Sequence, residues 1–190
     1  MSNVYSPVNI IDFVAYKSEE SLSRIKEANL NYIYKNLNYD IIRSSIGMFL
    51  VDLARNAIKE KEANEDLYFF LKKWLIALDD KSINLTYIPI YFTIQLANYL
   101  GFGINANRSD ENIYFDMLQG SYIDNDVRHT HIMTEGQSNN LYQVMERKDL
   151  HLISKDERNI LLDRLLEYYK LHIEGFMNLK SLDVIRRVLG

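Results

Sequence analysis

The stretch from Leu85 to Leu100 is apolar almost all the way round a helical wheel, with Tyr87, Ile88, Ile90, Tyr91, Phe92, Ile94, Leu96 and Tyr99 leaving little polar face. A helix of that kind has to be covered on every side, so it predicts the centre of a helical bundle. Pro89 falls near its start, where a missing N–H costs little. Leu100-Gly101-Phe102-Gly103 ends it, with glycine in a C-cap role. No apolar run reaches the roughly 18 residues that would suggest a membrane span.

Flanking segments supply the partners such a helix needs. From Asp40, a plausible N-cap, Ile42, Ile46, Phe49, Leu50, Leu53 and Ala57 recur at three- and four-residue steps, with Arg43, Asp52, Arg55 and Lys59 on the other side. Leu67, Phe70, Leu71, Trp74 and Leu78 repeat the pattern behind Asn64, which can cap a second helix. Thr134-Glu135-Gly136-Gln137 matches a capping box, so a short helix should run to about Glu146. Ser154-Lys155-Asp156-Glu157 is a second capping box. Behind it Leu161, Leu165, Tyr168 and His172 form one stripe, with Leu162, Leu166, Tyr169 and Ile173 beside it. Glu174-Gly175 stops that helix. Ser181 then caps a last one, with Asp183 in its first turn and Arg186 and Arg187 in its last, both favourable to the helix dipole.

Two segments break the helical period. Val8 to Tyr16 is β-branched and aromatic and suits a strand apolar on both faces. Lys17 to Ser21 reads as a turn, and Leu22 to Ala28 as a second, half-exposed strand. Two strands alone are marginal in water, so they pack on the helices or belong to a larger sheet. Residues 104–133 form an irregular acidic insert, in which Ile113 to Asp116 and Ser121 to Ile123 flank a Gln119-Gly120 turn signal and predict a small hairpin. The expected fold is mainly α: a helical bundle domain at 37–190 carrying that β insert, preceded by a β-hairpin segment at 1–36.

Composition narrows the chemistry. Of 190 residues, 47% are hydrophobic and 25% charged, a globular profile able to bury a core without staples. The chain has no cysteine, which excludes disulfides, a Cys-ligated zinc site, an iron–sulfur cluster and a thiol nucleophile. Met1 to Val8 lacks the basic and apolar blocks of a signal peptide, so a cytoplasmic location is expected. The formal net charge is −4. Residues 1–103 hold 11 basic and 12 acidic groups, residues 104–154 hold 4 and 8, and residues 155–190 hold 7 and 6. That balance lacks the basic stripe of an autonomous nucleic-acid binder.

No phosphate loop, dinucleotide glycine pattern, His-Glu-x-x-His or nucleophile elbow is present, so no catalytic residue and no cofactor is expected. His129-x-His131 on a strand would point both rings to one face, a spacing metals use, with Asp124 and Asp126 nearby. Without a third spaced ligand the expectation is a polar loop rather than a metal-dependent hydrolase. His172, on an apolar helical stripe, reads as a satisfied core histidine rather than a general base. His151 has no assigned role. The aromatic runs Tyr32/Tyr34, Tyr68/Phe69/Phe70, Tyr91/Phe92 and Tyr168/Tyr169 are of a type that can stack bases. At helical spacing they equally suit core or groove lining. Arg158, Arg164, Lys170, Lys180, Arg186 and Arg187 lie among apolar residues in the last two helices. Such a mixture can receive an acidic peptide with a hydrophobic end, or phosphate, and can equally be a solvated amphipathic face.

Tyr168-Tyr169-Lys170-Leu171-His172, Gly175-Phe176 and Leu179-Lys180-Ser181-Leu182 resemble the C-terminal part of the RecO family. Leu100-Gly101-Phe102, then Tyr114-Phe115-Asp116 and Gly120, resemble that family's central helix and the insert after it. Tyr5 to Tyr16 and Leu22 to Ala28 resemble the last strands of its N-terminal OB domain. The resemblance implies a further segment before Tyr5 carrying the first OB strands, since an OB barrel needs five strands and this chain offers at most two. Many members carry a four-cysteine zinc module after the Leu-Gly-Phe position, which the cysteine-free insert here cannot form. The resemblance further implies a non-enzymatic recombination mediator that binds and anneals single-stranded DNA. With RecR, such a mediator loads RecA onto strands coated by single-strand-binding protein, whose acidic, phenylalanine-ending tail docks on the helical domain. The rival is a protein-interaction module without DNA binding of its own, because the OB domain is incomplete. Lys180 is the firmest residue carried over from the family motif.

Overall fold

A computed structural model describes residues 4–16, 22–59, 62–124 and 129–189. The architecture is mainly α, with two small antiparallel hairpins. Helix α3 (Ile88–Tyr99) occupies the middle, packed against α1 (Ile41–Ala57) on one side and α5 (Lys155–His172) on another. Phe92, Leu96 and Ala97 are completely buried, each large side chain contributing about 1.5–3 kcal/mol through burial. Helix α2 (Glu65–Ala77) reaches α3 through rings: Phe70 stacks on Phe92 at 5.3 Å and Trp74 meets Phe92 edge-on at 6.0 Å. Thr93, the fully buried polar residue of α3, donates its hydroxyl to the Pro89 carbonyl at 2.7 Å. The Thr93 carbonyl in turn accepts from the buried Tyr169 hydroxyl of α5 at 2.7 Å.

The helix starts follow the expected local chemistry. Asp40 accepts from the backbone N–H groups of Ile42 and Arg43, and Asn64 from Leu67. Thr134 and Gln137 close a capping box at the start of α4 (Glu135–Glu146), and Ser154 and Glu157 close another at α5. Ser181 behaves differently from the expectation. It makes no cap bond to the last helix, α6 (Leu182–Val188). Its backbone N–H and its hydroxyl instead donate to Asp52 of α1, at 3.1 and 2.8 Å. A carboxylate is the stronger acceptor, so the residue ties α6 across to α1.

Arg43 also departs from the polar side that periodicity assigns it. It is buried, and its guanidinium donates to the carbonyls of Leu78 and Asp80 at 2.7 Å each and of Lys81 at 3.3 Å. It therefore closes the C-terminal end of α2, where carbonyls lack helical partners and the dipole favours a cation.

The N-terminal hairpin pairs β1 (Ile11–Tyr16) with β2 (Arg24–Leu30), with a bulge between Val14 and Ala15. Lys17 to Ser21, expected as the turn, lies outside the described residues. Phe13, Val14 and Tyr16 stand out into solvent at 59%, 55% and 62% exposure, so neither face of the hairpin packs on the bundle. The chain on either side of it is anchored: Val8, Ile10, Tyr34 and Leu37 join the main core, and Tyr34 donates its hydroxyl to the Val8 carbonyl at 2.8 Å. Gly47 leaves room for this; a Cβ there would sit 3.2 Å from the Val8 side chain.

The insert hairpin forms where expected, with β3 (Tyr114–Asp116) paired to β4 (Ser121–Ile123). Gly120 takes a positive φ of 67° at its turn. It lies so close to α5 that a Cβ there would come within 2.5 Å of the Tyr168 hydroxyl. That hydroxyl donates to the Phe102 carbonyl at 2.6 Å, which pins the end of α3 and the insert to one side chain.

Candidate functional site

The six cations singled out in the sequence do not form one cluster. Arg158 lies near the start of α5, where its guanidinium donates to the Ile153 carbonyl at 2.9 Å and covers the Tyr87 ring at 5.6 Å. Arg164 pairs with Glu167 at 2.6 Å, and Glu167 also lies 4.0 Å from His131. Lys170 donates to the Asn178 side chain at 2.8 Å. Arg186 pairs with Asp163 and sits 3.7 Å from Asp183. Arg187 is exposed on α6.

Lys170 and Arg186 share a groove of about 530 Å³ between α5 and α6, floored by Leu166, Phe176 and Leu179. The same groove holds Asp163, Glu167 and Asp183. Its three carboxylates outnumber its two cations, so it offers an anion no net attraction.

Lys180 opens onto a different groove, of about 440 Å³, where α6 crosses α1. Pro7, Met48, Val51 and Val184 give it an apolar floor, and Lys180 and Arg55 are its cations. Neither makes an ion pair among the described residues. Asp52 lines it too, one oxygen accepting both bonds from Ser181 and the other the Asn56 amide, and two cations against this one carboxylate leave the groove net positive. Val51 and Arg55 also border a second apolar groove of about 400 Å³ between α1 and α2, lined by Ile58, Leu71, Leu75 and Phe92. Arg55 thus stands between two apolar troughs along the outer edge of α1. Sequence reasoning placed it on a polar helix side and went no further. Its spacing from Asp52 and Lys59 is ordinary, and nothing in the chain links it to Lys180 except the fold.

The histidines separate from one another. His129 lies 3.3 Å from the carboxylate of Asp116, a fully buried residue whose other oxygen accepts from the Leu118 and Gln119 N–H groups at 2.7 and 3.3 Å. His131 turns toward Glu167 instead. Asp126, the second aspartate of the metal alternative, lies outside the described residues. Among the described residues no group of three or more His, Cys, Asp or Glu side chains is arranged to hold a metal ion. His172 stacks on Phe102 with ring planes 1° apart and bonds through Nε2 to the Met117 carbonyl at 2.9 Å, so its ring is satisfied as a packing element. His151 is exposed on a short 3₁₀ turn at Leu150–Leu152.

No helix among the described residues is long and apolar enough to cross a membrane. The family profile described as Recombination protein O C terminal matches residues 38–110, covering α1, α2, α3 and the start of the insert. The chain is 31% identical over 192 residues to the DNA repair protein RecO of Phocaeicola vulgatus, covering 98% of this chain and 80% of that protein. It is 31% identical over 195 residues to the protein of the same name from Bacteroides fragilis, with the same coverage. With that of Flavobacterium johnsoniae it shares 29% over 194 residues, 98% of this chain and 78% of the relative. The similarity runs through the exposed hairpin, the bundle and the insert alike, and the chain belongs to the RecO family of DNA repair proteins.

Proposed function

We propose that this chain serves DNA repair and homologous recombination as a mediator, working by binding rather than by making or breaking covalent bonds. Its partners are single-stranded DNA, RecR and the C-terminal tail of single-strand-binding protein, and the outcome is strand annealing and delivery of RecA to coated strands. Its place of work is the cytoplasm, at the nucleoid. The observation that carries the docking part is the α1–α6 groove. An apolar floor of Met48, Val51 and Val184 takes a hydrophobic terminal side chain, while Lys180 and Arg55 take carboxylates. Of the six cations first nominated, Lys180 holds the leading role. Arg187 adds long-range attraction, and Lys170 is held by a neutral amide it can exchange for an anion. Arg158, Arg164 and Arg186 enter only by releasing their present partners.

The second reading, a protein-docking module without DNA affinity of its own, is favoured by the open two-stranded hairpin and the net charge of −4. Fluorescence anisotropy separates the two. A labelled acidic peptide ending in phenylalanine and a labelled single-stranded oligonucleotide are titrated at two salt concentrations, against wild type, Lys180→Glu and Arg55→Glu. Each charge reversal should weaken the peptide roughly tenfold or more, since it replaces attraction with repulsion beside a desolvated carboxylate. Peptide binding untouched by both substitutions would remove the groove assignment. Peptide binding with no oligonucleotide binding at either salt selects the docking module.

A further inference from the structure

A third groove, of about 440 Å³, lies between α2 and α3 on a different part of the bundle. Phe69, Phe70, Trp74 and Tyr99 supply its aromatic walls, and Lys73 and Arg147 its cations. Gln95 and Asp66 also line it. Phe69 and Tyr99 are 59% and 44% exposed, so both rings are accessible from the groove. Three of the four rings are held by the core before any ligand arrives, while Phe69 meets only the Tyr68 ring, edge-on at 5.4 Å. Tyr99 packs on Phe70 at 4.5 Å, Phe70 stacks on Phe92, and Phe92 meets Trp74 edge-on. Lys73 makes no hydrogen bond or ion pair among the described residues.

Arg147 reaches the groove from the end of another helix. It occupies the left-handed C-cap of α4 at φ 54°, a conformation that favours glycine or asparagine. Its backbone N–H donates to the Gln143 and Val144 carbonyls and its charge suits the helix C-terminus, so the residue closes α4 while its side chain extends beyond it. It places a guanidinium at the groove, 5.0 Å above the Tyr91 ring.

We propose that this groove binds a nucleotide of single-stranded DNA, the base stacking against Phe69 and Tyr99 and the flanking phosphates meeting Lys73 and Arg147. Stacking platforms with cations at their margins suit single strands of any sequence, because every base offers a π-face. Two cations against the single carboxylate of Asp66 leave the groove net positive in a chain that is otherwise acidic. The site rests on the mediator reading for its ligand, but it shares no residue with the Lys180 groove.

Trp74 is the chain's single tryptophan, so its fluorescence reports on this groove alone. Oligothymidylate is titrated into the full chain while Trp74 emission and oligonucleotide anisotropy are followed together. The expected result is saturable quenching that tracks the anisotropy. Phe69→Ala, an exposed position that leaves the core intact, should weaken binding about fivefold or more. Lys73→Gln should lower the salt slope by about one. Both variants should bind the acidic peptide as wild type does. Anisotropy without quenching, unchanged in both variants, would overturn this site while leaving DNA binding elsewhere on the protein. Absence of any oligonucleotide binding would overturn the site and the DNA part of the mediator reading together. Quenching by the acidic peptide in competition with oligothymidylate would reassign the groove to a peptide.

Discussion

Asp79 shows how much one carboxylate can organise. It follows α2 and is 5% exposed, and it accepts from the backbone N–H groups of Lys35, Asn36 and Leu37 at 3.0, 2.7 and 2.9 Å. The Tyr32 hydroxyl approaches the same group at 3.4 Å. Burial pushes its pKa up, and the three amides with the tyrosine outweigh that, leaving the group below the ordinary carboxylate value. A depressed folded-state pKa adds stability that is present above the unfolded value of about 3.9 and is lost as pH falls through the folded one. Asp79→Ala should therefore cost roughly 2–4 kcal/mol in urea unfolding at neutral pH, and the variant should lose less stability than wild type on acidification below pH 4. In the sequence Asp79-Asp80 is an unremarkable pair of helix-end charges. Its role depends on amides that arrive from the segment after the hairpin, which no local pattern displays. Arg43 was hidden in the same way: its helical position is legible, but the carbonyls it covers belong to the end of another helix.

At the scale of elements, local chemistry was a good guide wherever the deciding partner lies within one turn. The Thr134 and Ser154 capping boxes and the Asp40 cap form as the spacing predicts, because their donors and acceptors are neighbours in sequence. Ser181 failed as a cap because Asp52, far away in the chain, offers a stronger acceptor. The strand positions drifted for a related reason: β2 runs to Leu30, past the point where its pattern weakens, because pairing with Ile11 extends it. The insert turn couples both kinds of constraint. Gly120→Ala should destabilise by about 1–3 kcal/mol in thermal unfolding, through the left-handed backbone and the intrusion on Tyr168. Tyr168→Phe combined with Gly120→Ala should cost less than the sum of the two, because the hydroxyl that the new methyl meets is gone.

For the whole molecule, the buried tyrosines set the alkaline limit. Burial pushes the Tyr168 hydroxyl up to about 12 and raises Tyr34, Tyr122 and Tyr169 further still. A raised folded pKa contributes stability that is complete below the unfolded value of about 10 and is lost as pH rises through the folded one. Unfolding free energy should accordingly be flat up to about pH 9 and fall steeply above pH 10, as circular dichroism at fixed urea would record. The two surfaces proposed for binding are separated at this scale. The groove proposed for the peptide lies at α1–α6 and the aromatic groove at α2–α3, and each gathers residues from distant parts of the sequence. That is why the C-terminal cations were visible as a group in the sequence while Arg55, Lys73 and Arg147 were not. The most direct test of mediation follows the annealing of two complementary fluorescent strands, each coated with single-strand-binding protein, by energy transfer in stopped flow. Wild type should accelerate annealing of coated strands, and Lys180→Glu should lose that acceleration while still acting on bare strands. No acceleration of coated strands by wild type, or equal acceleration by the variant, would contradict a mediator that docks through the α1–α6 groove.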